Sequence, residues 1–176
     1  VLDIGAGDGV LSYWLKKNGK EPTACDIAPE KFVVEGVKCY YVDLNYKMPY
    51  KKESFDIVAG CEVIEHIENH KGMTDEVHRV LKPNGTFVFT TPNIHNWYSK
   101  LYFLFKNQFP YFRDGDYCPL GHTRPLIMNL FKEHIKGKFI IEKMVFNRSF
   151  IPLIHVRLPW RNLWFGETMI VKLKKI

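Results

Sequence analysis

The chain has 176 residues, 46% apolar and 15% aromatic, enough for one domain with a full core. It carries no signal-peptide pattern and no apolar run long enough to span a membrane. Its four cysteines, Cys25, Cys39, Cys61 and Cys118, show no C-x-x-C pairing and no regular spacing, and the simplest reading is free thiols in a reduced, cytoplasmic setting. The net charge of +6 is unevenly placed, −3 over residues 1–99 and +9 over residues 100–176, so the second half suits an anionic substrate, a membrane surface or nucleic acid, or else simply presents solvated lysines.

Val1 to Ile4 read as a short buried strand. Gly5-Ala6-Gly7-Asp8-Gly9 then make a turn in which backbone passes close to a ligand. From Gly9 the apolar spacing becomes helical, with Val10, Leu11, Trp14 and Leu15 on one side. Strand, glycine turn and helix form the nucleotide-binding corner of a doubly wound α/β sheet. A dinucleotide fingerprint, G-x-G-x-x-G/A, would need Gly or Ala where Val10 stands. The spacing here is G-x-G-x-G with Asp3 inside the strand, and it resembles motif I of class I S-adenosylmethionine (SAM) dependent methyltransferases. Because the chain opens inside a strand, residues preceding Val1 are expected in the natural protein.

Glu21 to Cys25 form a second strand ending at Asp26, 17 residues beyond Gly9. That is close to where doubly wound folds place an acid on the ribose hydroxyls. The same residue could instead cap the short helix predicted over Pro29 to Glu35. Val37 to Val42 give a third strand that ends at Asp43-Leu44. A surface turn would explain this pair, but the resemblance implies Asp43 on the adenine amino group and Leu44 against the ring. Phe55 to Gly60 form a fourth, buried strand.

Cys61-Glu62-Val63-Ile64-Glu65-His66 follows, at the strand end where such sheets hold ligands. It resembles the E-V-x-E-H segment of small-molecule methyltransferases such as those of ubiquinone biosynthesis. Base-modifying amino-methyltransferases carry an Asp/Asn-Pro-Pro-aromatic segment here, and cytosine C5 enzymes a Pro-Cys; both are absent. Glu62, Glu65 and His66 lie on about one helical turn and have ligand chemistry, but the reading adopted is no metal: Glu62 near the sulfonium, Glu65 solvated, His66 lining the site. His70 to Leu81 is an amphipathic helix with Met73, Val77, Val80 and Leu81 inward and His70 and His78 at the surface. Leu81-Lys82-Pro83-Asn84-Gly85 resembles the L-K-P-G-G turn before the fifth strand of the family, Phe87 to Thr91.

Past Thr91 the chain changes character. Residues 93–125 hold a stretch dense in Tyr, Phe and Leu, interleaved with Lys100, Lys106 and Arg113. It is expected to form a lid or a wall for an apolar or ring-bearing acceptor, to contact a membrane interface, or to be plain core. Gly121-His122-Thr123-Arg124 opens a helix running to about Lys136 and resembles a segment of related small-molecule enzymes. His122 could deprotonate an acceptor or only brace the loop, and Arg124 could bind an anion or only support it. Lys138 to Phe146 and Glu167 to Leu173 are the sixth and seventh strands. Between them, residues 147–165 are too apolar for a solvated loop and are expected to cover the acceptor site, meet a second subunit or touch a membrane.

The expectation is one α/β domain over residues 1–176 with a doubly wound, Rossmann-like seven-stranded sheet, order 3-2-1-4-5-7-6, the last strand antiparallel. The resemblance implies transfer of a methyl group from S-adenosyl-L-methionine to O, N or C of a small-molecule acceptor. Cofactor residues would be Asp3, Gly5, Ala6, Gly7, Asp26, Ile27, Asp43, Leu44, Cys61 and Glu62, with His66 or His122 as base. Expected partners are the small-molecule acceptor, a peripheral membrane contact and a second copy, with no nucleic acid. The alternatives are an RNA or protein methyltransferase, or a SAM-binding regulator without turnover.

Overall fold

Short buried strands alternate with helices from Leu2 onward. The computed structural model describes residues 1–112, 121–147, 149–151, 156–158 and 160–176. In chain order the elements are β1 (Leu2–Ile4), α1 (Val10–Lys17), β2 (Thr23–Asp26), β3 (Cys39–Tyr41), β4 (Phe55–Gly60), α2 (His70–Val80), β5 (Leu81–Pro92) and α3 (Trp97–Lys106). They continue as α4 (Met128–Ile135), β6 (Phe139–Phe146), β7 (Ser149–Ile151), β8 (Val156–Leu158) and β9 (Thr168–Lys175), with single 3-10 turns at Pro29–Lys31 and Ile64–His66.

Seven strands pair in the order β3-β2-β1-β4-β5-β9-β6. The first five run parallel; β9 is antiparallel to both β5 and β6. This is the expected order, with the extra β7-β8 hairpin set apart inside residues 147–165. Parallel strands buried on both faces need continuous apolar runs, and Leu2, Ile4, Ala24, Cys25 and Val58 are all sealed from solvent. The antiparallel β9 alternates instead, burying Met169, Val171 and Leu173. Between β1 and β4 the winding direction reverses, so the carboxyl ends of β1, β2 and β4 frame a crevice.

The helix before β5 is held at both ends. Asn69 accepts from the Gly72 amide at 2.8 Å and caps the start of α2. At its other end Lys175 donates to the carbonyls of His78 and Leu81 at 2.8 and 2.7 Å, a cation where the helix dipole is negative. A Glu76–Arg79 pair at 2.7 Å clamps the preceding connection, with Arg79 donating to the Tyr50 and Met48 carbonyls. His70 and His78 are half-buried rather than at the surface, and burial lowers the pKa of both.

Two further details depart from the sequence reading. The inward residue of α1 is Ser12, while Val10 and Trp14 are 61% and 52% exposed. The sheet-facing side of this helix lies so close to β1 that a small polar residue fits there, and it serves Asp3. α4 begins at Met128, not near Gly121, because Pro125 disfavours helix in the residue before it. Arg113, Cys118, Leu153 and Ile154 lie outside the described residues. Among the described residues, no helix is long and apolar enough to cross a membrane.

Candidate active site

The site is built at strand tips by backbone that only glycine tolerates. Gly5 and Gly7 have φ of 62° and 55°, in the left-handed region. A Cβ on Gly5 would run into the Val63 side chain, so this position is closed by packing. A Cβ on Gly7 would meet nothing within 4 Å, which leaves open space for a ligand to approach. Beneath the turn, Asp3 is buried and accepts from the Ser12 hydroxyl at 2.6 Å, tying β1 to α1; burial pushes its carboxyl up to about 6. Ala6 donates from its amide to the Cys25 carbonyl at 3.1 Å, joining the turn to β2.

Asp26 stands at the tip of β2. Its carboxylate accepts from the amides of Gly7 and Ala28, both at 2.8 Å, and so sets the distance between the glycine turn and the next loop. It does not cap a helix: the 3-10 turn at Pro29–Lys31 has Ala28 as its N-cap and no side-chain cap bond. Asp43, just past β3, accepts from the Asn45 amide and side chain at 2.9 and 3.1 Å. Glu62 follows β4 with φ of 51°, held there because Thr90 of β5 accepts from its amide at 2.9 Å and donates to its carboxylate at 2.6 Å.

These tips converge. Gly5, Gly7, Asp26, Ile27, Asp43, Leu44, Glu62 and His66 share one cavity of about 440 Å³, a volume typical of small-molecule sites. The sequence-predicted Asp3, Ala6, Cys61 and His122 are not on its wall: Asp3 and Ala6 shape the turn from behind, and Cys61 is exposed beside Glu62. A larger groove of about 800 Å³ runs outside, along Val10, Tyr13 and Trp14 of α1 and Val33. Its charged groups, Asp8, Lys16, Lys17 and Glu35, do not include the strand-tip carboxylates Asp26, Asp43 and Glu62, so the smaller cavity is the candidate site. The residues fit a nucleoside bearing an amino-acid chain: carboxylates to accept from hydroxyl and amino groups, an apolar Leu44, and open backbone at Gly7.

The second half of the chain reaches this cavity through the loop at Gly121–Arg124. The amides of Thr123 and Arg124 donate to the Glu65 carbonyl at 2.9 and 3.0 Å, and Gly121 and Thr123 join the cavity wall. His66 Nδ1 lies 3.0 Å from the Gly121 carbonyl, and His122 Nδ1 lies 2.6 Å from the Tyr111 carbonyl. A carbonyl only accepts, so each Nδ1 carries its proton and donates; in the neutral ring Nε2 then has the lone pair. The two rings pack edge-on with centroids 4.8 Å apart.

Glu65 was expected to be solvated. It is 0% exposed, and among the described residues neither carboxylate oxygen makes a hydrogen bond of ordinary geometry. Burial, reinforced by the charge of Glu62, pushes its carboxyl up to about 8. Its Oε1 lies 4.0 Å from His122 Nε2. The donor atoms of Glu65, His66 and His122 all fall within 4.8 Å of one another, a spacing that could share a cation or a proton; Glu62, which the sequence groups with them, turns to Thr90 instead. The signal for Glu65 in the sequence is slight: one acid between Ile64 and the apolar Ile67, buried only when a loop 58 residues away folds over it.

Known proteins share these features. A family model described as a methyltransferase domain matches residues 2–89. The ubiquinone biosynthesis O-methyltransferase of Xylella fastidiosa is 29% identical over 104 residues, 53% of this chain and 42% of that protein. Its counterpart in Pseudomonas syringae pv. tomato is 32% identical over 105 residues, 53% of this chain and 44% of that one. The chain thus spans less than half the length of these curated relatives. Among solved structures, a SAM-dependent methyltransferase from Archaeoglobus fulgidus matches with a TM-score of 0.73 at 20% identity, covering 99% of this chain and 85% of that one. A second, from Thermotoga maritima, gives 0.69 at 17% identity, covering 99% and 81%.

Proposed function

The chain belongs to the methyltransferase domain family, a class I SAM-dependent methyltransferase by family and fold, and from that premise we propose that it methylates a hydroxyl of a small, apolar or ring-bearing acceptor. SAM, when bound, supplies an electrophilic methyl group on a sulfonium that is already a good leaving group. The chain's own residues then have two tasks. Asp26 would accept from the ribose hydroxyls, Asp43 from the adenine amino group with Leu44 against the ring, and Gly5 and Gly7 would let backbone approach the amino-acid chain. Ile27 and Glu62 complete the wall, and Cys61 lies at the strand tip beside it.

The second task is to prepare the acceptor. A hydroxyl is a weak nucleophile until it loses its proton, and His66 or His122 can take that proton on Nε2. His66 is on the cavity wall, and His122 packs directly on it with Nε2 toward Glu65. The observation that carries the reading is the meeting of three cofactor-type strand tips and His66 at one cavity, with His122 packed behind His66. That the similar Xylella and Pseudomonas proteins are named O-methyltransferases favours oxygen as the accepting atom.

The experiment is calorimetric titration with SAM, followed by mass-spectrometric assay of S-adenosylhomocysteine over a panel of phenols, catechols, amines and short RNAs. Binding plus turnover on a phenolic acceptor is expected, with His66→Asn and His122→Asn lowering turnover more than SAM affinity. Failure to bind SAM would end the proposal. Binding without turnover on any acceptor would favour a regulator, and turnover confined to RNA would move the acceptor to nucleic acid.

A further inference from the structure

Helix α3 is turned inside out. Its buried side is polar: Ser99 is sealed, its amide donating to Asn96 Oδ1 at 2.7 Å. Asn93 and Asn96 beneath it are buried too, donating from their side-chain amides to the Leu163, Gly166 and Asn93 carbonyls. Trp97, Leu101, Leu104 and Phe105 therefore share the outward side at i, i+4, i+7 and i+8, and Leu104 and Phe105 are 74% and 75% exposed.

The same buried asparagines join α3 to the segment at 160–166. The Trp97 amide donates to the Trp164 carbonyl at 2.9 Å, and Lys100 Nζ sits 3.9 Å over the Trp164 ring. Trp160, Leu163 and Trp164 are exposed as well, so two segments of one chain present a continuous apolar surface. Its charges have a single sign: α3 and 160–166 hold Lys100, Lys106 and Arg161 and no acid.

We propose that this surface, the outward side of α3 with Trp160, Leu163 and Trp164, docks the protein on an anionic lipid bilayer. Apolar side chains enter the headgroup boundary, indole rings sit at its edge, and Lys100 and Arg161 meet lipid phosphates, with Lys106 on the Ser99 side of α3 farther from them. Charge selects this occupant over a second copy. A two-fold interface would set Lys100 and Arg161 of both copies in one apolar contact, like against like. The proposal makes no assumption about the methyl acceptor.

The test is co-sedimentation of the protein with sucrose-loaded vesicles, either phosphatidylcholine alone or equal parts phosphatidylcholine and phosphatidylglycerol. Binding to the anionic vesicles, weakened by salt, is expected. Lys100→Ala and Arg161→Ala should each weaken it about fivefold, and Lys106→Ala, on the Ser99 side, by less. The double change Leu104→Ser/Phe105→Ser should weaken it about tenfold or more. SAM affinity, measured by calorimetry, should be unchanged in all four and certifies folding. Quenching of the unaltered protein's tryptophan fluorescence by brominated lipid reads insertion without any substitution.

No sedimentation at low salt, or full binding by Leu104→Ser/Phe105→Ser, would overturn the proposal. So would a dimer that this double change dissociates, without vesicle binding, since a second copy would then be the occupant.

Discussion

Residues 1–92 and residues 93–176 solve different physical problems. In the first half the cofactor-type carboxylates sit at or just past strand tips and are fixed by near neighbours: Asp26 by Gly7 and Ala28, Asp43 by Asn45. In the second half the loop at Gly121–Arg124 gains its position by reaching back to Glu65 and His66, and α3 rests on 163–166. A cofactor of fixed shape can be gripped by local backbone geometry, which constrains sequence spacing. An acceptor pocket is assembled from long-range contacts, which leave spacing free. Substitutions in the two halves should therefore fail in different ways.

The largest effect belongs to Gly5. Gly5→Ala forces a left-handed φ on a side chain and drives its Cβ into Val63. Roughly 1–2 kcal/mol for the backbone and about 1–3 kcal/mol for overpacking should appear as lost stability in urea denaturation. Gly7→Ala carries only the backbone cost, because its Cβ has open space, yet it should weaken SAM binding at least as much. If both variants lost stability equally, the division between a packing glycine and a ligand-facing glycine would be wrong.

Glu65 gives the next largest effect, and it tests the junction between the halves. Its carboxyl is raised from an ordinary 4.5 to about 8, so the folded chain holds a proton that the unfolded chain has released. Stability from this group is therefore full below about 4.5 and is lost as pH climbs toward 8. The loss is about 1.4 kcal/mol for each pH unit of that window. Glu65→Gln should flatten this decline and be more stable than the unaltered chain at pH 8 by thermal melting. An unchanged slope would mean that Glu65 is paired or solvated in solution. Asp3, raised from 3.8 to about 6, adds a smaller decline of the same sign at lower pH.

Legibility divides along the same line. β4 was readable to the residue, since Phe55 to Gly60 is a bounded, mostly apolar run, and the strand order came with the family resemblance. Asp26 and Asp43 were readable because a strand tip has one place for each. The inward side of α1 was not, because its one apolar side is itself half exposed and the residue that meets the sheet is the polar Ser12, which apolar periodicity cannot mark. Nor was the burial of Glu65, as nothing local to Ile64–Ile67 announces a loop from residue 121. The inward polar side of α3 was hidden for a similar reason: Asn93, Asn96 and Ser99 look like solvent-facing residues until the carbonyls of Leu163 and Gly166 are set beside them.

Asp26→Ala should cost about 1.5–3 kcal/mol of SAM affinity, as loss of hydrogen bonds to a charged group. It also strips partners from the Gly7 and Ala28 amides, so a fall in affinity could come from a slackened turn alone. Asp26→Asn separates the two, because it keeps one oxygen for an amide but loses the charged acceptor. Restored stability with affinity still weak, by denaturation and calorimetry, supports direct contact with the ribose. Restored affinity would reduce Asp26 to a brace.

The smallest effect is expected where the second half is most exposed. Leu104→Ser removes a side chain that is 74% exposed and lies opposite the buried Ser99 face of α3. Stability in urea should move by no more than about 0.5 kcal/mol, the range of surface substitutions that break no named contact. A Leu of this size in a core position would cost about 2–5 kcal/mol on truncation to a small residue. The two outcomes are far enough apart that a single denaturation curve decides between them. A large loss would mean that Leu104 is covered in the folded chain in solution, and the outward apolar side of α3 would then belong to the core of the second half instead of to its surface.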